Sequence, residues 1–201
     1  MKHGILLIGL ICLATGCGAG GYQPQNGDVV FHESRSSQSE AIQQATDSRY
    51  SHMGIVYLQE GEPFVYEAVQ PVKLTPLDQW IARGKDGHFV AKRLRDVAAL
   101  TDPVLARMRA VGEEMAGLDY DLTFEWSDER IYCSELVWKV YKRGAGIEIG
   151  ELATFADFDV SHPAVAAKVR ERFGDALPLE EPVISPAAMF DAPQLETVFR
   201  N

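Results

Sequence analysis

Cys133 stands in the string Tyr132-Cys133-Ser134-Glu135-Leu136-Val137-Trp138, at or next to the start of a run with helical periodicity. The first turn of a helix offers unpaired backbone N–H groups and a partial positive charge. Both stabilise a thiolate, and the same N–H groups can receive the oxyanion formed when a thiolate attacks a carbonyl. A thiol used in this way needs a base within hydrogen-bond reach, and imidazole is the usual one. His52 opens an alternating run, Ser51-His52-Met53-Gly54-Ile55-Val56, that reads as a strand. His32, His88 and His162 have weaker settings: a strand end beside a loop, a later strand start, and a polar loop before Pro163.

A third residue completes the set. The turn residues around Glu60-Gly61 fold the His52 strand back onto Phe64-Val65-Tyr66-Glu67-Ala68-Val69. A tight turn there brings Glu67 directly across from His52 or one diagonal pair away. Alternation places Glu67 on one face with Val65 and Val69, an unusual setting for a solvated carboxylate. At that point it would fix the ring tautomer and stabilise the imidazolium.

The elements that hold these residues follow in order. Val29-Val30-Phe31 is a short strand, Ser34 to Ser39 a polar loop and Glu40 to Thr46 a short helix. The hairpin comes next. Val72-Lys73-Leu74 extends the sheet, Pro76 to Ala82 is a helix around Trp80, and His88 to Leu94 is a further strand. Helical periodicity then takes over: a helix from Asp102-Pro103 to Gly117, another from Ile131 to Arg143, and a third from Pro163 to Phe173. Pro178 to Pro193 reads as an extended segment that wraps the domain. Strands first and helices later indicate an α+β domain. The 201 residues suit one domain with an adequate core.

The first residues read as an address. Met1-Lys2-His3 precedes an apolar run from Gly4 to Leu13, too short to span a bilayer. Ala14-Thr15-Gly16-Cys17 follows, and this string resembles the bacterial lipobox, in which the cysteine is acylated and becomes the mature N-terminus. The resemblance implies a signal peptide over 1–16, a lipid on Cys17 and, with Gly18 next, an outer-membrane, periplasm-facing location. Residues 17–26 read as a flexible tether, with the folded domain spanning 27–201 and its wrapping segment beginning near residue 175. Of three cysteines, Cys12 would leave with the signal and Cys17 would carry lipid, so Cys133 has no disulfide partner. In an oxidising compartment such a thiol is either buried and inert or in use.

A formal net charge of -10 argues against nucleic acid and against electrostatic docking on anionic lipid. The expected membrane contact is therefore the lipid anchor alone, and the expected state a monomer. No glycine-rich phosphate loop and no Cys/His cluster with zinc spacing is present, so neither cofactor nor metal is expected. Asp119, Asp121, Asp128 and Glu129 read as a solvated loop in preference to a calcium site.

Ser37-Gln38-Ser39-Glu40-Ala41-Ile42, Ser51 to Val56, Tyr66-Glu67-Ala68, Tyr120-Asp121 with Phe124, and Tyr132 to Val137 together resemble the YiiX/YebB-like family, a circularly permuted branch of the NlpC-type papain-like hydrolases. The resemblance spans about Gly27 to Arg143 and leaves the chain after Gly144 unassigned. It implies a permuted papain-like fold, an antiparallel sheet or small barrel packed against helices. It also implies Cys133 as nucleophile, His52 as base and Glu67 as its orienter. The expected activity is amide cleavage through an acyl-enzyme, on a cell-wall peptide or related amide. Two alternatives stand beside it: an acyl-ester hydrolase or acyltransferase of the same fold, and a non-catalytic lipoprotein that binds a ligand in the same cleft.

Overall fold

The computed structural model of the protein describes residues 21–201. The expected signal peptide over 1–16 and the expected lipidation site at Cys17 lie outside the described residues. The main sheet contains β1 (Val29–Ser34), β2 (His52–Gln59), β3 (Glu62–Glu67), β4 (Lys73–Pro76), β5 (Gly84–Leu94) and a C-terminal strand, Leu195–Arg200. Its order is C-terminal strand, β5, β1, β2, β3, β4, and every neighbouring pair is antiparallel. The two outer strands do not pair with each other, so the sheet is open and is not a barrel.

Alternation along the strands divides the core in two. Val29, Phe31, Met53, Ile55, Tyr66 and Val90 face the helices α3 (Asp102–Met115) and α4 (Cys133–Val140) and form the main core. Val30, Val56, Val65, Phe89 and Ala91 face the other way, under Leu77 and Trp80 of α2 (Leu77–Arg83). Two further helices, α1 (Ser39–Thr46) and α5 (Pro163–Phe173), pack on each other beside the N-terminus of α4.

The β2–β3 hairpin closes through Glu60 and Gly61, at φ 51° and 89°. Two left-handed residues give the turn whose twist matches that of paired strands. The turn sets Ile55 opposite Tyr66. Continuing that register puts Glu67 opposite Gly54 and one diagonal step from His52. Gly54 has no side chain for good reason, since a Cβ there would meet Val65 Cγ1 at 2.5 Å and the Tyr66 carbonyl at 2.7 Å.

The structure departs from the sequence reading at three places. The segment after Pro178 is not extended throughout. Pro182-Val183 pairs with Ala153-Thr154, Pro186–Phe190 is a short helix (α6) capped by the Ser185 side chain, and Leu195–Arg200 adds the sheet's outer strand. Proline misled here, because Pro186 occupies the first turn of α6, where its missing N–H costs nothing. Residues 22–26 are packed and do not form a tether. The Tyr22 ring lies against Phe89 and Phe199, its hydroxyl donates to Asp28 at 2.7 Å, and Asn26 Oδ1 accepts from the Leu58 N–H and from Arg109. The acidic loop is not solvated at Asp121. That carboxylate is fully buried and accepts from the N–H groups of Thr123 and Glu125 and from the Thr123 hydroxyl, which shapes the turn before α4.

Candidate active site

Tyr132 is extended and Cys133 is the first residue of α4. Helical periodicity alone had begun this helix at Ile131, but Arg130-Ile131 instead pairs in parallel with Asp119-Tyr120. The pairing delivers the chain to the helix start with Cys133 in the position that faces the free N–H groups. The tail fixes the same turn from the other side. The Ile184 N–H donates to the Tyr132 hydroxyl at 3.1 Å, and the Ser134 hydroxyl donates to the Ile184 carbonyl at 2.8 Å. The Cys133 side chain is buried, and backbone N–H groups of Met53 and Ser134 are hydrogen-bonded to its sulfur.

His52 belongs by alternation to the α2 face of the sheet, whereas Cys133 leads a helix on the other face. The two meet because His52 is the terminal residue of β2, where the sheet no longer separates the layers. Serine hydroxyls hold that strand end in place: Ser51 Oγ lies 2.6 Å from Ser39 Oγ and accepts the Ser34 N–H at 2.9 Å. His52 Nε2 is 2.7 Å from Glu67 Oε2. The Cys133 thiol is the ring's other partner, coupled to it by hydrogen bonding and charge.

Glu67 is fully buried and fully partnered. Its second oxygen accepts the Thr75 hydroxyl at 2.6 Å and the Arg83 guanidinium. Thr75 comes from β4 and Arg83 from the last turn of α2. Three elements therefore converge on one carboxylate, and neither of these partners was singled out from the sequence.

The charges follow from these contacts. Burial pulls the His52 pKa down, but the hydrogen bonds and charges of Cys133 and Glu67 outweigh it and raise the value to about 9. Burial pushes the Cys133 thiol up, yet the His52 hydrogen bond and charge, with the two backbone N–H groups, bring it below its ordinary value. Burial would also raise Glu67, and His52, Thr75 and Arg83 hold it down to about 2. The contacts thus favour the charged forms of all three groups: thiolate, imidazolium and carboxylate. Neighbouring His32 is different. Burial and the His52 charge lower its pKa to about 2, so it stays neutral, stacked on Trp80 with centroids 4.0 Å apart.

Two more side chains reach the sulfur's surroundings. The Tyr120 hydroxyl hydrogen-bonds Cys133, and burial together with the Cys133 charge keeps the phenol protonated. Gln38 Nε2 donates to the Tyr120 hydroxyl at 3.4 Å, and Gln38 Oε1 accepts from Arg172 at 2.6 Å. The positions predicted from sequence, Cys133, His52 and Glu67, are brought together. Tyr120 stands in the Tyr120-Asp121 string that carries part of the family resemblance. Gln38 stands in one of the strings that carry the family resemblance, with no role read for it, and Thr75, Arg83 and Arg172 carry no local signal that would have marked them.

The protein-family model described as "Permuted papain-like amidase enzyme, YaeF/YiiX" matches residues 23–199. The chain belongs to that permuted papain-like amidase family. Relatives agree with the assignment. The uncharacterized protein YiiX of Escherichia coli is 46% identical over 201 residues, which is all of this chain and 97% of YiiX. A crystal structure described as that of the metalloprotein YiiX, also from Escherichia coli, superimposes with a TM-score of 0.85 at 49% identity, covering 90% of this chain and 99% of that one. The YaeF/YiiX match extends well past Arg143, and so includes the tail that braces the first turn of α4. Among the described residues no group of three or more His, Cys, Asp or Glu is arranged to hold a metal ion. His52 is committed to Glu67 and Cys133, and Glu67 to His52, Thr75 and Arg83.

Proposed function

We propose that this protein is a cysteine amidase in which Cys133 is the nucleophile, His52 the proton carrier and Glu67 the group that orients His52. The observation that carries this reading is His52 placed between Glu67, 2.7 Å from its Nε2, and a thiol on the first residue of a helix. The Cys133 thiolate adds to the amide carbonyl, and helix N–H groups and the Tyr120 hydroxyl are positioned to receive the oxyanion. As the C–N bond breaks, the His52 imidazolium gives its proton to the leaving nitrogen, leaving a thioester on Cys133 and a free amine. Water then attacks the thioester while His52 takes its proton. The acid departs, and thiolate and imidazolium are restored.

The test is product formation from a panel of wall-derived peptides and acyl amides, followed by mass spectrometry, with Cys133→Ala as the blank. New amine and acid from at least one amide, absent in the blank, is the expected result. A panel that yields nothing beyond the blank would remove the amidase reading.

The setting proposed for this activity is the bacterial cell envelope, with the domain held by a lipid on Cys17, in reach of wall peptides and of membrane-borne amides alike. Support comes from Ala14-Thr15-Gly16-Cys17 after a short apolar run. Among the described residues no helix is long and apolar enough to cross a membrane. Replacing Cys17 by Ser is expected to move the protein from the membrane fraction to the soluble periplasm. Undiminished membrane association of Cys17→Ser would defeat the anchor.

A further inference from the structure

Two cavities adjoin along Gln38 and Ile42, which line both; His52 stands in one and Cys133 in the other. One, of about 490 Å³, holds His52 and has a mixed lining, in which Ser34, Gln70, Arg83 and Tyr120 offer polar groups beside Ala68, Val69 and Leu122. The other, of about 110 Å³, has Cys133 and Tyr132 in its wall and runs between α1 and α5. Its lining is apolar: Ala45 from α1, Val165 and Val169 from α5, Phe124, and Ile184 from the tail. The cations beside it are engaged elsewhere. Lys168 pairs with Glu171 at 2.7 Å, while Arg172 donates to Gln38 and lies over the Phe124 ring at 5.4 Å.

The chemistry assigns a side to each half of a substrate. The leaving nitrogen must take its proton from His52, so the amine half occupies the His52 cavity, the one of the two that offers hydrogen-bonding groups. The acyl half bonds to Cys133 and extends away from His52, into the apolar one. We infer that the substrate carries a short aliphatic acyl group, which the α1–α5 cavity accepts, and a polar amine that lies in the His52 cleft. This inference rests on the amidase reading above and names its substrate class. Size sets the length. A cavity of about 150 Å³ holds a benzene ring, so 110 Å³ takes about four carbons beyond the carbonyl and its neighbour. The acyl group of a wall peptide, glutamyl or a similar residue, would bring a charge into this space with no free partner to meet it.

The full chain should be assayed with the p-nitroanilides of acetic, butyric, hexanoic and octanoic acids and with γ-glutamyl-p-nitroanilide, beside the p-nitrophenyl esters of the four fatty acids. Burying one methylene is worth about 0.8 kcal/mol, or about fourfold in kcat/KM. The expected rise from acetyl to hexanoyl is therefore on the order of a hundredfold or more, flat from hexanoyl to octanoyl, with the γ-glutamyl compound below butyryl. Ala45 is half-buried and lines the cavity. Ala45→Phe should narrow the cavity and lower the hexanoyl-to-acetyl ratio of kcat/KM at least tenfold, a ratio that partial misfolding leaves untouched. Anilide turnover that is flat with chain length, or that favours the glutamyl compound, overturns the inference and leaves the amidase standing. Inert anilides beside esters that show the chain-length rise would overturn the amidase and keep the acyl cavity. Inert anilides with esters indifferent to length would overturn both.

Discussion

Cys133→Ala and His52→Ala are each expected to lower kcat on any accepted amide by about a thousandfold or more, and the double variant by little beyond either alone. The two groups share one proton and one ion pair, so removing either leaves the other without a task. Losses from residues that act as a unit do not multiply. What survives is the rate given by binding and by the oxyanion donors, which neither substitution touches. Glu67→Gln should cost less but still a substantial factor. A glutamine removes the anionic partner and has one acceptor oxygen: turned to Thr75 and Arg83 it sets its NH2 against the His52 N–H, and turned to His52 it sets its NH2 against both of the others. The measurement is steady-state kinetics on matched preparations whose circular dichroism and melting curves establish folding. A folded His52→Ala variant with more than a tenth of the parent kcat, or a double variant whose loss is the product of the two single losses, would show that the pair does not work as one machine.

The sequence exposes this centre unevenly, for physical reasons. Cys133, His52 and Glu67 were legible because each is tied to a local rule. A helix start stabilises a thiolate, a strand start places a ring at the sheet's end, and a two-residue turn at Glu60-Gly61 fixes what lies across the hairpin. The diagonal placement of Glu67 follows from that turn and nothing else. Thr75 and Arg83 were not legible, because their only link to Glu67 is that β4 and α2 fold over its strand. Gln38 and Arg172 lie 134 positions apart and touch through the α1–α5 packing, for which no periodicity speaks. The C-terminal strand was missed for a related reason. Leu195–Arg200 is an outer strand with one buried leucine and mostly exposed neighbours, so its apolar pattern is faint. Its place is set by pairing with β5. The tail's contribution to the Cys133 helix, through Ile184, likewise lies in backbone hydrogen bonds that the residue types do not announce.

The pH dependence of Cys133 alkylation tests the ion pair without any knowledge of substrate. In the full chain carrying Cys12→Ser and Cys17→Ser, Cys133 is the only thiol among the three cysteines of the sequence. Its pKa is depressed, so the reactive thiolate is expected to be present below the ordinary thiol value of about 8.5. Reactivity with iodoacetamide should then persist into mildly acidic solution, with one inflection below that value. The partner proton behaves in the opposite sense. His52 holds its proton up to about 9, so thiolate and imidazolium coexist from the thiol inflection to that pH, and above it an unpaired thiolate remains. A second, smaller change in rate is expected there, and Glu67→Gln should bring it to lower pH, because Glu67 helps to keep the imidazolium charged. His52→Ala removes the largest influence that lowers the thiol and leaves burial, which favours the neutral form. The inflection in that variant should move above 8.5. An inflection at or above the ordinary thiol value in the parent, unmoved by His52→Ala, would mean that the two side chains share no proton, and the nucleophile assignment would fall with the ion pair.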